Sequence, residues 1–169
     1  PFFDAVADAM GDAAVVTDAK GRAVYANAAY LKLASKAGAS RLIGIDVLFS
    51  GYPDFAEPVY QLAQAAQKAV ALQRDVRVAA GSSVPGAQFD SSRWLRLGVA
   101  PLSGSGHNGF SLWRLIDITA DRQHQESAFS RLQFIITYLD HAPAGFFSTL
   151  PNGKVDYVNA TLADWLGID

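Results

Sequence analysis

Asp18-Ala19-Lys20-Gly21-Arg22-Ala23-Val24-Tyr25-Ala26-Asn27 is the stretch on which the architecture turns. It reads as a tight turn over 18–21, a returning strand over 23–26 and an asparagine placed to cap a helix. Gly21 can supply the positive φ that such a turn needs and that most residues resist. Working outward, Ala14-Val15-Val16-Thr17 is a short apolar run, so the predicted element is a hairpin. Past Asn27, the spacing predicts a helix over 28–35 that turns Tyr30, Leu31 and Ala34 to a core. Before the hairpin, Phe3, Val6, Ala7 and Met10 recur at i, i+3, i+4 and i+7, predicting an amphipathic helix within 1–12 that stops near Gly11.

The same unit returns 132 positions later without a gap: Thr149 falls on Thr17, Gly153 on Gly21, Tyr157 on Tyr25, Asn159 on Asn27 and Ala160 on Ala28. Segments 144–150, 154–158 and 160–166 are therefore expected to repeat strand, turn, strand and helix. This second copy, 143–169, holds only the opening of the unit, and the chain reads as a segment of a longer protein.

Between the copies, 38–51 is irregular and apolar, with short helical turns expected around Gly44. Pro58 suits the first turn of a helix, and Val59, Leu62, Ala63, Ala66 and Val70 would form its apolar stripe. A strand over 75–78, a loop over 81–92 and an alternating strand over 93–102 follow, the last with Leu95, Leu97 and Val99 on one face and Trp94, Arg96 and Gly98 on the other. A Gly/Ser loop over 103–109 leads to the final strand, 110–118. That run ends in Leu115-Ile116-Asp117-Ile118-Thr119, where β-type sequence gives way to a glycine- and proline-free helical run over 120–140. Asp117 and Thr119 both carry oxygens able to accept from the orphan N–H groups of a first helical turn. In the helix, Phe129, Leu132, Ile136 and Leu139 are spaced 3, 4, 3, a seam of under two heptads that needs a packing partner. The units are thus 1–12, 13–119, a connector helix over 120–142 and the second copy.

Composition removes several functions. With 169 residues, half of them hydrophobic, 18% charged and a formal net charge of -2, the chain offers no electrostatic footprint for nucleic acid. It has no cysteine, hence no disulfide, thiol nucleophile or thiolate metal site. No run approaches the ~20 apolar residues of a membrane span, so any anchor is expected elsewhere in a parent protein. His107, His124 and His141 do not form a metal pattern. His124 lacks the surroundings of a phosphoacceptor and reads as a solvated helix-face residue, and Ser92, His107 and Asp117 show no nucleophile-elbow context for a triad. The segment is expected to be non-catalytic.

The 18–21 turn followed by Tyr25-x-Asn27, the segment 94–101 and the exit Asp117-Ile118-Thr119 resemble a PAS domain over 13–119, and 144–169 the start of a second. The resemblance implies an α+β fold, a five-stranded antiparallel sheet with helices on one face followed by a long connector helix. The wording of 138–147 and 159–163 further resembles the sensor region of alphaproteobacterial cell-cycle hybrid histidine kinases of the CckA type. It implies a sensory and dimerisation module of a two-component kinase, in the cytoplasmic part of a parent anchored in the inner membrane, with Asp117, Ile118 and Thr119 transmitting the signal to kinase domains in the same chain. Homodimer and packing contacts are expected at Phe3, Val6, Met10, Phe129, Leu132, Ile136 and Leu139. Family members with haem use a histidine on or near the long helix, where this chain has none, and the flavin-cysteinyl and thiol-linked chromophores need cysteine, so no cofactor is expected. If a small molecule is held, Tyr30, Leu33, Phe49, Leu62, Val70, Trp94 and Leu97 would line its pocket, although inward apolar residues are ordinarily core. Two other readings keep the fold: a receptor for a small molecule or nucleotide messenger, and a structural dimerisation spacer.

Overall fold

A computed structural model describes residues 9, 11–102 and 109–168. Phe3, Val6, Met10 and His107 lie outside the described residues. The chain divides into two compact units, residues 1–120 and 121–169.

In the first unit the hairpin forms as β1 (Ala13–Thr17) and β2 (Ala23–Ala26), with Gly21 at φ 76° in the turn. Three helices follow: α1 (Ala28–Lys36), the single turn α2 (Ile45–Leu48) and α3 (Pro53–Gln67). They are succeeded by β3 (Leu72–Val78), two short strands β4 (Ser83–Val84) and β5 (Ala87–Gln88), and the long β6 (Arg93–Pro101) and β7 (Ser111–Asp117). The main sheet has the order β2-β1-β7-β6-β3 with every pair antiparallel. The last strand, β7, therefore sits at the centre with the first, β1, beside it. Helices gather on one face because Val15, Val78, Leu97 and Trp113 alternate onto it and bury there with Tyr30, Phe55 and Leu62. On β6 the predicted alternation holds: Leu95, Leu97 and Val99 are buried, while Trp94, Arg96 and Gly98 are half-buried on the opposite face. There Arg96 grips Asp75 through two bonds of 2.6 and 2.9 Å at directly opposed positions, which pins the β3–β6 register.

Three expectations need correction. α3 starts at Pro53, which holds the favoured first position, and Pro58 lies inside the helix, where its missing N–H removes one bond of the helical ladder. Phe55, at 1% exposure, extends the apolar stripe one turn upstream. Val70 is not in the helix. The chain reverses at Ala69, φ 53°, where the N–H of Ala69 donates to Ala66 and that of Val70 to Ala65, a Schellman closure that leaves Val70 53% exposed. The loop over 81–92 contains the β4–β5 hairpin, with Val84 buried in the main core.

The second unit takes up α4 (Thr119–Asp140) from Asp121 onward and continues with β8 (Phe147–Thr149), β9 (Val155–Val158) and α5 (Ala160–Leu166). The repeat extends to individual atoms. Asn27 Oδ1 accepts from the N–H groups of Ala14 and Tyr30, both at 3.0 Å, and Asn159 Oδ1 accepts from Phe146 and Leu162 at 2.8 and 3.1 Å, each 132 positions on. The amide nitrogens donate to the carbonyls of Asp12 and Ala144 in the same relation. Even the irregularity between Val16 and Thr17 recurs between Ser148 and Thr149.

Candidate functional site

Two places in the first unit combine polar chemistry with a structural role. One is the join between β7 and α4. Asp117 Oδ1 accepts from the N–H of Thr119 at 2.9 Å, satisfying the first orphan donor of the helix. Thr119 does not cap its own helix as predicted. Its hydroxyl, on a residue 6% exposed, accepts from the N–H of Trp94 at the start of β6, 2.9 Å away. The N–H of Ile118 in turn donates to the Trp94 carbonyl at 2.9 Å, continuing the β6–β7 ladder past the last strand residue. Arg93 lies 3.5 Å from the Asp117 carboxylate and 5.5 Å from the Phe89 ring centroid. The first helical residue is thus fastened to two strands at once, which the sequence around 117–119 could not show because the partner is 25 residues away.

The other place is a cavity of about 350 Å³ at the turn end of the sheet. Its floor is the Trp113 ring with Ser111 from the start of β7 and Thr17 from the end of β1. The Trp113 Nε1–H is consumed by Thr17 Oγ1 at 3.0 Å, so the indole offers only its apolar surface. Ala63 and Ala66 of α3 form the wall, and their small side chains leave the space open. Lys20, Asp46 and Gln67 stand at the rim. Asp18 also borders the cavity but is occupied: its carboxylate takes the Arg22 Nε–H at 2.8 Å and the N–H groups of Lys20 and Arg22 at 2.9 Å. The Arg22 guanidinium bond is the main reason its carboxyl titrates below the usual range. Among the described residues neither Lys20 nor Asp46 has an ion-pair partner.

None of the seven predicted pocket residues lines this cavity. Tyr30, Phe49, Leu62 and Leu97 are packed into the core, with Leu33 half-buried against it. Trp94 lies on the other face of β6, since its neighbours Leu95 and Leu97 alternate inward, and Val70 is exposed for the reason given above. Tyr30 donates its hydroxyl to the Ile43 carbonyl at 2.8 Å, and burial, with the Asp46 charge second, pushes its ionisation well above the ordinary tyrosine range. The signal that could have found the cavity was the pair of alanines on the inward stripe of α3, where larger side chains were to be expected.

Among the transmission and packing residues, Ile118 is buried and Asp117 exposed, and Phe129, Leu132 and Ile136 are exposed on α4 with Leu139 half-buried. Phe134 and Tyr138 add exposed aromatic area that the seam does not include. His124 is exposed on the same helix, and the His141 ring approaches the Thr137 carbonyl at 2.9 Å, a carbonyl that also accepts from the His141 N–H at 3.2 Å. Among the described residues no acidic or histidine cluster could hold a metal ion, and no helix is long and apolar enough to cross a membrane.

Comparison with known proteins places these features in a family. The sensor kinase CckA of Brucella abortus (strain 2308) is 35% identical over 164 residues, 96% of this chain and 17% of the kinase. The chain therefore spans only a small part of that relative. A structure of an RNA-binding Light-Oxygen-Voltage receptor superposes with a TM-score of 0.51 at 20% identity, over 79% of this chain and 37% of that one. The phage VqmA–DPO complex superposes with a TM-score of 0.52 at 14% identity, over 99% and 72%. At those identities they speak for the fold alone. The family model described as the PAS fold matches residues 2–118, and with the five-stranded sheet, the helices on one face and the helix that leaves β7, the chain belongs to the PAS family.

Proposed function

We propose that this chain is a non-catalytic sensory and dimerisation module, cytoplasmic, which regulates a histidine kinase in the same polypeptide through the β7–α4 join. The observation that carries the reading is the double attachment of Thr119, whose N–H is held by Asp117 and whose hydroxyl is held by the backbone of Trp94. A change in how β6 and β7 sit is then felt in the first turn of α4 without passing through a flexible linker. The mechanism is a population shift between two arrangements of the join, each favoured by a different state of the sensor. The kinase identity of the relative supports the output, and the exposed Phe129, Leu132 and Ile136 support a second copy of α4 as the packing partner. No thiol is present to hold a chromophore.

The test is made in a full-length kinase carrying this region. Thr119→Val removes the acceptor for the Trp94 N–H at nearly constant shape, and a lost bond of about 1 kcal/mol corresponds to roughly a fivefold shift in a two-state balance. The ratio of autophosphorylation to phosphatase activity should move by about that factor, and Thr119→Ser should restore it. An unchanged ratio in both variants, with the domain still folded by circular dichroism, would leave the module a structural spacer. A receptor reading is favoured by one observation, the cavity at the turn end of β7.

A further inference from the structure

We propose that the cavity beneath the β1–β2 turn is a binding site for a small zwitterion of the free α-amino-acid class with a short polar side chain. Among the described residues that line it, Lys20 brings an ammonium and Asp46 a carboxylate that do not pair with each other, while the other carboxylate, Asp18, is held by Arg22. Unpaired opposite charges bordering one cavity are complementary to a molecule that bears both signs. The hydroxyls of Thr17 and Ser111 and the Gln67 carboxamide offer partners for a polar side chain, and the Trp113 ring offers a surface for its methylene.

The same features argue against other ligand classes. A volume near 350 Å³ is at the lower end of the roughly 300–1,000 Å³ of ligand pockets, too small for a dinucleotide. Phosphate groups require several cations or guanidinium forks, whereas among the described residues Lys20 is the one unpaired cation of the lining and Arg22 is already committed to Asp18. A purely apolar ligand would leave the rim charges and the Gln67 carboxamide unmatched.

The site bears on the proposed function because β7 joins both ends of the unit. Ser111 and Trp113 touch the cavity, and Asp117, six residues along the same strand and about 20 Å away, holds the first N–H of α4. An occupant that draws Lys20 and Asp46 together over Ser111 would bias β7 at its origin. This clause rests on the sensory reading, whereas occupancy itself does not.

Calorimetric titration of the full 169-residue chain with glycine, L-serine and L-threonine tests the proposal, with acetate, ethanolamine and a cyclic dinucleotide as comparisons. Saturable binding of at least one amino acid with a dissociation constant below about 1 mM is expected, and weaker or no binding of the singly charged compounds. Lys20→Gln and Asp46→Asn should each weaken it about tenfold or more, since each removes one charge-assisted contact. Ala66→Leu, which fills the wall, should abolish it. Because Ala66→Leu can disturb packing, the rim variant Lys20→Gln decides if that protein fails to fold. Absence of binding by all three amino acids, affinity unchanged in Lys20→Gln, or preferential binding of the cyclic dinucleotide overturns the proposal. None of these results touches the Thr119 experiment, so the two readings fail separately.

Discussion

Asn27 carries more of the fold than its size suggests. One buried carboxamide ties the start of β1 to the start of α1, accepting from Ala14 and Tyr30 and donating to Asp12. Its replacement by alanine leaves two N–H groups in a site 1% exposed without their acceptor. At roughly 1–3 kcal/mol for each unsatisfied donor, Asn27→Ala should destabilise the first unit by about 2–6 kcal/mol, seen as a lower urea midpoint at unchanged slope. Tyr30, next in the same motif, gives a pH dependence. Burial favours its neutral form, so its stabilising contribution is complete below the ordinary tyrosine range near pH 10 and is lost as pH climbs through the raised value. Alkaline titration followed by phenolate absorbance should show two of the six tyrosines ionising late, Tyr157 because its hydroxyl is bound to Asp140 and Tyr30 because it is buried, with the phase that accompanies unfolding belonging to Tyr30. In Tyr30→Phe that late phase should vanish. Its survival would assign the phase to another tyrosine.

At the scale of elements, the informative places are the ends. α1 and α5 begin alike on Asn27 and Asn159, as their common sequence requires. α3 ends on a left-handed Ala69, a conformation that costs a residue with a Cβ about 1 kcal/mol and that glycine adopts freely. Ala69→Gly should therefore raise stability by about 0.5–1 kcal/mol despite the added freedom of the unfolded chain, read as a higher urea midpoint. A loss of stability would mean that the Ala69 methyl makes contacts worth more than the strain. α4 begins on Asp117 and the strand-bound Thr119, and this end is built differently from the others because its first residue must answer to the sheet as well as to the helix.

Across the whole molecule, the two units differ in what they bury. The first has a continuous apolar core, whereas in the second the described residues that are fully enclosed are Ala142 and Asn159. Trp165 and Phe147 of that unit are 67% and 63% exposed. Hydrogen bonds of its hairpin have little apolar cover, so they should open by local fluctuations well below the global unfolding energy. Native-state hydrogen exchange should find β8–β9 amides protected at least about a hundredfold less than those of β6–β7. Equal protection would show that the second unit is covered in solution, and an apolar partner surface would then have to be found.

The order of elements, the hairpin with its glycine turn, the alternation on β6, the strand-to-helix exit and the internal repeat were all legible in the residues, because each depends on periodicity or capping chemistry between near neighbours. Local chemistry also misled where two solutions were locally equivalent: Pro53 and Pro58 both suit a first helical turn, and the buried Phe55 decided between them. What closes α3 is a backbone reversal at a non-glycine residue, which no propensity anticipates, and it carried Val70 away from the stripe to which its spacing assigned it. The cavity and the partner of Thr119 belong to tertiary structure alone. They bring β1, α3 and β7, and Trp94 and Thr119, together across long stretches of chain. The sequence by itself determined the elements and their class, since those obey rules of neighbours. Which polar groups face a common space, and which strand holds the start of α4, was decided only when the sheet set β7 between β1 and β6.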